Sequence, residues 1–165
     1  MCVNITKANV SKKCYICFMK DRKLLNSELG RVKPQEYREL PESGLVLVLD
    51  NVRSAHNIGS AFRTSDAFKV DKVFLCGICA CPPSAEIHKS ALGAEDSVPW
   101  EHWQETIELV RHLKEAGYKV VSVEQTVDSV SLEKFTSAEG EKYAFVFGNE
   151  VDGVSQEVVD ESDFV

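Results

Sequence analysis

Residues 45–50 read Leu45-Val46-Leu47-Val48-Leu49-Asp50, five apolar side chains in a row closed by a carboxylate. The period-two alternation of a strand with one wet face is missing. A short continuous apolar run between Gly44 and Asp50 predicts a strand buried on both faces, the kind found in parallel sheets covered by helices.

Outward from that run the pattern alternates. A helix is predicted over 57–68, with Ile58, Ala61, Phe62 and Ser65 on one side, and a second strand over 72–76. Pro82-Pro83 opens a loop into a short helix over 85–92, stopped by Gly93. Trp103, Ile107, Val110 and Leu113 recur at helical spacing, and Gly117 sits where a C-terminal cap belongs. Residues 118–123 and 143–147 read as a third and a fourth strand. Ser155 can cap a last helix through Glu161, and Asp163-Phe164-Val165 starts another strand. This alternation predicts an α/β domain with a mostly parallel sheet and helices on both faces. Ligands in such sheets lie beyond the carboxyl ends of the strands. Residues 50–63, 77–93 and 148–155 are therefore the segments to search.

Upstream, Pro41 and Gly44 punctuate the chain. Ser27, Leu29, Val32 and Tyr37 suggest a short helix from Ser27 to about Arg38, preceded by a loose or partly helical stretch over 1–24. Two parts are expected: a basic arm over 1–40 and the α/β domain over 41–165. The formal charge of the 165 residues is −7, divided as nine basic against four acidic residues in the arm and ten against twenty-two beyond it. An acidic body cannot by itself gather a polyanion, so contact with nucleic acid would fall to local basic patches, the arm first. A solvated tail reads that composition equally well. No apolar run approaches the ~20 residues of a membrane span, and the first residues lack the order of a secretion signal. A cytoplasmic protein without a membrane partner is expected.

Six cysteines stand at 2, 14, 17, 76, 79 and 81, including two Cys-x-x-Cys pairs. Two pairs can close a zinc site, but 58 residues separate these, against about 15–20 in a compact ribbon. The second pair also continues the apolar run Val73-Phe74-Leu75. Reduced, partly buried thiols are expected rather than a metal site, with a zinc-binding interaction module as the competing reading.

Two segments carry the candidate chemistry. Asn57-Ile58-Gly59-Ser60-Ala61-Phe62-Arg63 places an amide and a guanidinium near a helix start, which suits a phosphate or a sugar hydroxyl. By itself it reads more readily as a capped helix with a surface arginine. Phe147-Gly148-Asn149-Glu150-Val151-Asp152-Gly153 follows a buried strand, and its two glycines allow close backbone approach. A plain turn reads it as well. Neither segment is a dinucleotide fingerprint or a triphosphate loop. His56 reads as a helix-entry residue. His88 and Lys89 face solvent or substrate, Trp100 and Trp103 read as packing residues, and Asp50 as the residue that orders the loop after it.

In combination these pieces resemble the SpoU-type (TrmH-like) RNA ribose 2′-O-methyltransferases of the SPOUT, or α/β-knot, superfamily. Asn57, Gly59 and Arg63 match Asn-x-Gly-x-x-x-Arg, and Phe147 to Gly153 match Phe-Gly-Asn-Glu-x-x-Gly. Between them, Ser90-Ala91-Leu92-Gly93-Ala94-Glu95 is similar to the family's Ser/Thr-x-x-Gly-Ala segment. The resemblance covers about 45–165. It implies methyl transfer from S-adenosylmethionine to a ribose 2′-hydroxyl of tRNA or rRNA by a homodimer. Arg63, Asn57 and Glu150 would be catalytic, and Phe147, Gly148, Asn149 and Gly153 would line the cofactor pocket. Arg63, Asn57 and Lys89 would contact RNA, with no metal required. The family has been proposed to use its arginine as a base. Because a guanidinium stays protonated up to a pKa above ~12, Arg63 is read here as the partner of a phosphate or of the developing alkoxide.

The family also carries Ser-Leu-Asn-Val-Ser in a third motif, and no such run occurs between Met1 and Val165. A C-terminally truncated domain is therefore expected, with an incomplete knot, weak or absent cofactor binding and exposed apolar surface that promotes association. A catalytically inactive RNA-binding or regulatory protein of the same fold is the alternative.

Overall fold

The apolar run at 45–49 forms the central strand of the sheet in the computed structural model, which describes residues 22–30, 32 and 34–165. The readings that fall on 1–21, including Cys2, Cys14 and Cys17, lie outside the described residues. The chain divides into two compact units, Met1–Val32 and Lys33–Val165. Described residues of the first unit form a single 3-10 turn, Asn26–Glu28, in which Glu28 accepts from Arg22 Nη2 at 2.6 Å and from Leu25 N at 2.8 Å.

The second unit runs α1 (Pro34–Glu39), β1 (Leu45–Asp50), α2 (Ala55–Ala67), β2 (Lys72–Cys76), α3 (Ala85–Ala91), α4 (Ala94–Ser97), β3 (Trp100–Trp103), α5 (Thr106–Glu115), β4 (Tyr118–Ser122), β5 (Lys142–Phe147) and α6 (Gln156–Glu161). Five strands pair in the order β3-β2-β1-β5-β4, and every pairing is parallel. Val48 stands opposite Phe74 on one side and Val146 on the other.

Side chains alternate across the sheet and supply two cores. Leu49, Val73 and Leu75 pack with Ile58 and Phe62 of α2 and Ile87 of α3. Val48, Phe74, Val120, Ala144 and Val146 pack with Leu109, Val110 and Leu113 of α5 and Val158 of α6. This is the expected α/β architecture with helices on both faces.

Three local expectations are corrected. Helix α2 begins at Ala55, two residues before Asn57, because Ser54 caps it: its hydroxyl accepts from Asn57 N at 3.2 Å. Trp100–Trp103 is a strand, not the start of the following helix. As a short edge strand with three exposed residues, Trp-Glu-His-Trp carries no apolar run to announce it. No continuous helix runs from Ser27 to Arg38, since Gly30 adopts φ +57° and only Pro34–Glu39 is helical there. That helix belongs to the unit that starts at Lys33. Tyr37 anchors it, buried, with its hydroxyl donating to the carbonyls of Ser65 and Val70 at 3.2 Å each.

The start of a further strand at 163–165 is present as one parallel bridge, Phe164 with Val121.

Candidate functional site

The carboxyl ends of β1 and β5 are neighbours, so the loops that follow them meet. Glu150, from the loop after β5, turns its carboxylate onto the start of α2. Its Oε1 accepts from Asn57 Nδ2 at 2.8 Å and from Ser54 N at 3.2 Å, and its Oε2 accepts from Arg53 N at 3.3 Å. The carboxylate is exposed, yet it lies at the positive end of a 13-residue helix. Its own backbone N–H lowers its pKa most, desolvation opposes that, and Asn57 with the amides of Arg53 and Ser54 adds to the lowering, so the net shift is downward. Asn57 keeps one N–H and its carbonyl oxygen unclaimed by any described residue.

The 148–155 loop is held at several points. Asn149 and Gly153 exchange backbone hydrogen bonds at 3.1 Å, and Asn149 Oδ1 accepts from Val151 N and Asp152 N at 2.9 and 2.8 Å. Glu124, after β4, accepts from Val154 N at 2.9 Å. Asp50, buried at the end of β1, accepts from Ser155 N at 2.9 Å, from Thr106 Oγ1 at 2.5 Å and from Asn51 Nδ2 at 2.9 Å. Ser155 thus stands at the helix start through its N–H, and its side chain makes no capping bond.

Both glycines serve the loop itself: a Cβ on Gly148 would collide with the backbone of Gly153 and Val154. Gly153 adopts φ +69°, and a Cβ there would run into the Glu124 carboxylate. The motif's glycines are thereby explained by turn geometry before any ligand is considered.

Gly59 has a packing reason too. A Cβ there would stand well inside 3.0 Å of Ser90 Oγ and the Ile87 carbonyl oxygen, so glycine lets α2 and α3 touch. Ser90 Oγ completes the crossing by donating to the carbonyls of His56 at 2.8 Å and Ile87 at 3.3 Å. His56 therefore enters through its backbone, as a helix-entry residue.

Arg63 is exposed and makes no hydrogen bond or ion pair with any described residue. Six residues of helix put it about 9 Å along the axis from Asn57 and about 120° around it. The structure thus joins Asn57 to Glu150 and leaves Arg63 out of contact with both.

Lys89 is exposed on α3 and pairs with Glu86 at 2.7 Å. His88 Nδ1 lies 2.6 Å from Glu95 Oε1. Trp103 is half-buried and stacks on His112 at 5.5 Å, while Trp100 is 36% exposed at the sheet edge. Among the described residues, no three His, Cys, Asp or Glu side chains are grouped to hold a metal. Cys76 and Cys79 are buried, and burial pushes their thiols up to about 12 and about 11.

Beside the Asn57–Glu150 contact opens an apolar cavity of about 520 Å³. Leu47, Phe145 and Phe147 form its floor, Ala61 and Thr64 its helical wall, and Asn57, Gly148 and Glu150 its polar lip. Asp50 and Glu124, which fix the loop, stand outside both sequence motifs. Asp50 was detectable as a carboxylate ending a buried strand, whereas Glu124 gave no signal, because its partner Val154 is 30 residues away and paired only by the fold.

Residues 44–165 match the model of the SpoU rRNA Methylase family. The 23S rRNA (guanosine-2′-O-)-methyltransferase RlmB of Nitrosomonas europaea is 40% identical over 97 residues, which are 56% of this chain and 37% of that protein. The enzyme of the same name from Vibrio vulnificus is 32% identical over 113 residues, 68% of this chain and 44% of that one. The chain thus spans less than half the length of these relatives. Among solved structures, an rRNA methyltransferase from Sinorhizobium meliloti superposes with a TM-score of 0.66 at 26% identity, covering 78% of this chain and 49% of that one. An AdoMet-bound rRNA methyltransferase from the same organism gives 0.68 at 25% identity over 78% of this chain and 49% of that one.

Proposed function

The chain belongs to the SpoU rRNA methylase family, and from that premise we propose that it is an RNA ribose 2′-O-methyltransferase that takes its methyl group from S-adenosylmethionine. The observation that carries the reading is the 2.8 Å hydrogen bond between Asn57 and Glu150, which unites the two motifs across 93 residues of sequence. The substrate class proposed is rRNA or tRNA, the working form a homodimer and the compartment the cytoplasm. No helix among the described residues is long and apolar enough to cross a membrane. Residues 41–165 would carry the catalysis on the body that starts at Lys33, with the basic arm approaching RNA.

The residues present fit such a cofactor. An apolar cavity of about 520 Å³ falls within the ~300–1,000 Å³ usual for small-molecule sites and offers walls for an adenine and a thioether chain. Phe147 and Gly148 border it, and Asn149 and Gly153 shape the turn above, so these four would hold the group. When bound, S-adenosylmethionine supplies an electrophilic methyl on a sulfonium.

The side chains then have distinct tasks. Glu150, held ionised by the amides around it, is a weak proton acceptor at neutral pH. Its work is to fix Asn57 and to set a negative charge beside the reacting centre. Asn57 presents its free N–H and carbonyl to the RNA. Arg63, unpaired and planar, takes a phosphate or the developing alkoxide of the ribose, and Lys89 adds a second cation for the backbone. The hydroxyl proton leaves to water or to an RNA phosphate. Alignment of the hydroxyl supplies much of the rate.

The test is methyl incorporation from labelled S-adenosylmethionine, at millimolar cofactor, into unmodified 23S rRNA and tRNA transcripts, with nuclease mapping of the 2′-O-methyl. Incorporation cut sharply, to a small but measurable residual rate, by Asn57→Ala and by Glu150→Ala supports the reading. Salt-dependent RNA binding by the wild type with no incorporation would overturn it in favour of an inactive RNA-binding protein.

A further inference from the structure

Glu124 lies outside both motifs and has no place in the reaction described above, yet it reaches into the motif that holds Glu150. Its Oε2 accepts from Val154 N at 2.9 Å, and its Oε1 accepts from Gln125 N at 2.8 Å. Its carboxylate also fills the space where a side chain on Gly153 would stand. Gly153 is bonded in both directions to Asn149, at 3.1 Å each way, and Asn149 is followed directly by Glu150. From Glu150 the chain of contacts continues to Asn57 and the amides of Arg53 and Ser54. From the loop after β4 to the start of α2 the path therefore runs through hydrogen bonds joined by the peptide links Gly153–Val154 and Asn149–Glu150.

We infer that Glu124 is a positioning residue for Glu150, acting through the paired backbone of Asn149 and Gly153. The inference rests on the proposed function only for its kinetic consequence, because the mechanical link exists whether or not the chain methylates RNA. The loop has two other anchors, Asp50 on Ser155 N and Glu150 on α2. Loss of Glu124 therefore lets the turn shift without releasing it, and the fold survives. The link also accounts for glycine at 153: with φ +69° and a carboxylate pressed against it, no larger residue fits. Both Glu124 contacts are acceptor contacts, so an uncharged acceptor of the same length preserves the one to Val154.

The experiment compares Glu124→Ala, Glu124→Gln, Glu150→Ala and the Glu124→Ala/Glu150→Ala pair in the full chain. In ¹⁵N-labelled protein without cofactor, the Asn57 side-chain amide resonances should move in Glu124→Ala and stay in place in Glu124→Gln, while Tm confirms that both are folded. In the methylation assay, kcat should fall about 10–100-fold in Glu124→Ala, the scale of a small misplacement, with KM for RNA nearly unchanged and activity largely retained in Glu124→Gln. On the Glu150→Ala background the same change should cost less than about twofold, since residues acting as one unit are non-additive. An unmoved Asn57 amide in Glu124→Ala overturns the inference, as does a full additive loss in the double variant. A wild type that transfers no methyl group overturns the proposed function instead, and the amide resonances still decide whether Glu124 positions Glu150.

Discussion

Replacing Gly59 by alanine sets two physical effects against each other. Helix propensity alone favours the change by about 1 kcal/mol. Against it, the new methyl group enters space held by Ser90 Oγ and the Ile87 carbonyl oxygen, and it also touches Ala91 N at 3.0 Å. The carbonyl is backbone of α3, so it cannot swing aside, and α2 and α3 must separate. Overpacking of this kind costs about 1–3 kcal/mol. Displacing Ser90 Oγ breaks its 2.8 Å bond to the His56 carbonyl, and the loss leaves buried polar groups short of partners at about 1–3 kcal/mol. Taking the middle of each range and subtracting the propensity gain leaves a loss of roughly 3 kcal/mol. For a domain of this size that lowers Tm by roughly 10 °C. Thermal unfolding followed by far-UV circular dichroism, checked by urea titration, measures it. Adding Ser90→Ala to Gly59→Ala should recover part of the loss, since it removes one of the two obstacles and leaves the Ile87 carbonyl. A Gly59→Ala protein as stable as the parent, or more stable, would show that propensity wins and that Gly59 does not set the helix spacing.

Arg63→Lys keeps the charge and loses the planar fork, so methyl transfer should fall about 10²-fold, the usual cost of a lost transition-state donor, while the melting curve stays put because the side chain is exposed. Near-normal turnover in that variant would remove the guanidinium from the mechanism. The lowered pKa of Glu150 means that its brace on α2 stabilises the fold fully above the ordinary value of 4.5 and is lost as pH falls through the lower folded value. An NMR pH titration should hold the Asn57 side-chain amide steady down to 4.5 and shift it only below. Movement between pH 7 and 5 would contradict this. The burial that pushes Cys76 and Cys79 up to about 12 and about 11 keeps them as thiols at neutral pH. Site-resolved mass spectrometry after a brief iodoacetamide pulse should find both unmodified in the folded protein and modified in urea.

Some of this molecule could be read directly from the residues. A run of five apolar side chains cannot sit at a surface, so Leu45–Leu49 had to be a sheet strand, as did those over 72–76 and 143–147, although Leu45 and Leu47 stay half-buried along the cavity and not covered as expected. Where identity alone fixes local conformation, the sequence was equally explicit: Gly117 closes α5 with φ +84°, as its position after Leu113 required. Polar and short segments escaped. Trp100–Trp103 becomes a strand only because β2 offers it a free edge, and Pro34–Glu39 joins the body only because the carbonyls of Ser65 and Val70 wait for the Tyr37 hydroxyl.

The candidate site divides along the same line. Its motifs, and through them the family, were legible because they are strings of residue types at fixed spacing. Which of those residues touch was not, since contact between Asn57 and Glu150 is created by the pairing of β1 with β5 and not by anything near either residue in the chain. The same pairing gave Asp50 its hold on the 148–155 loop, the pairing of β4 with β5 gave Glu124 its own, and the turn of α2 left Arg63 apart from its motif partner. Sequence determined what each segment could become, because local conformation and burial depend on neighbouring residues. Tertiary structure alone decided which side chains share a space, because that depends on strand order, which no short stretch encodes.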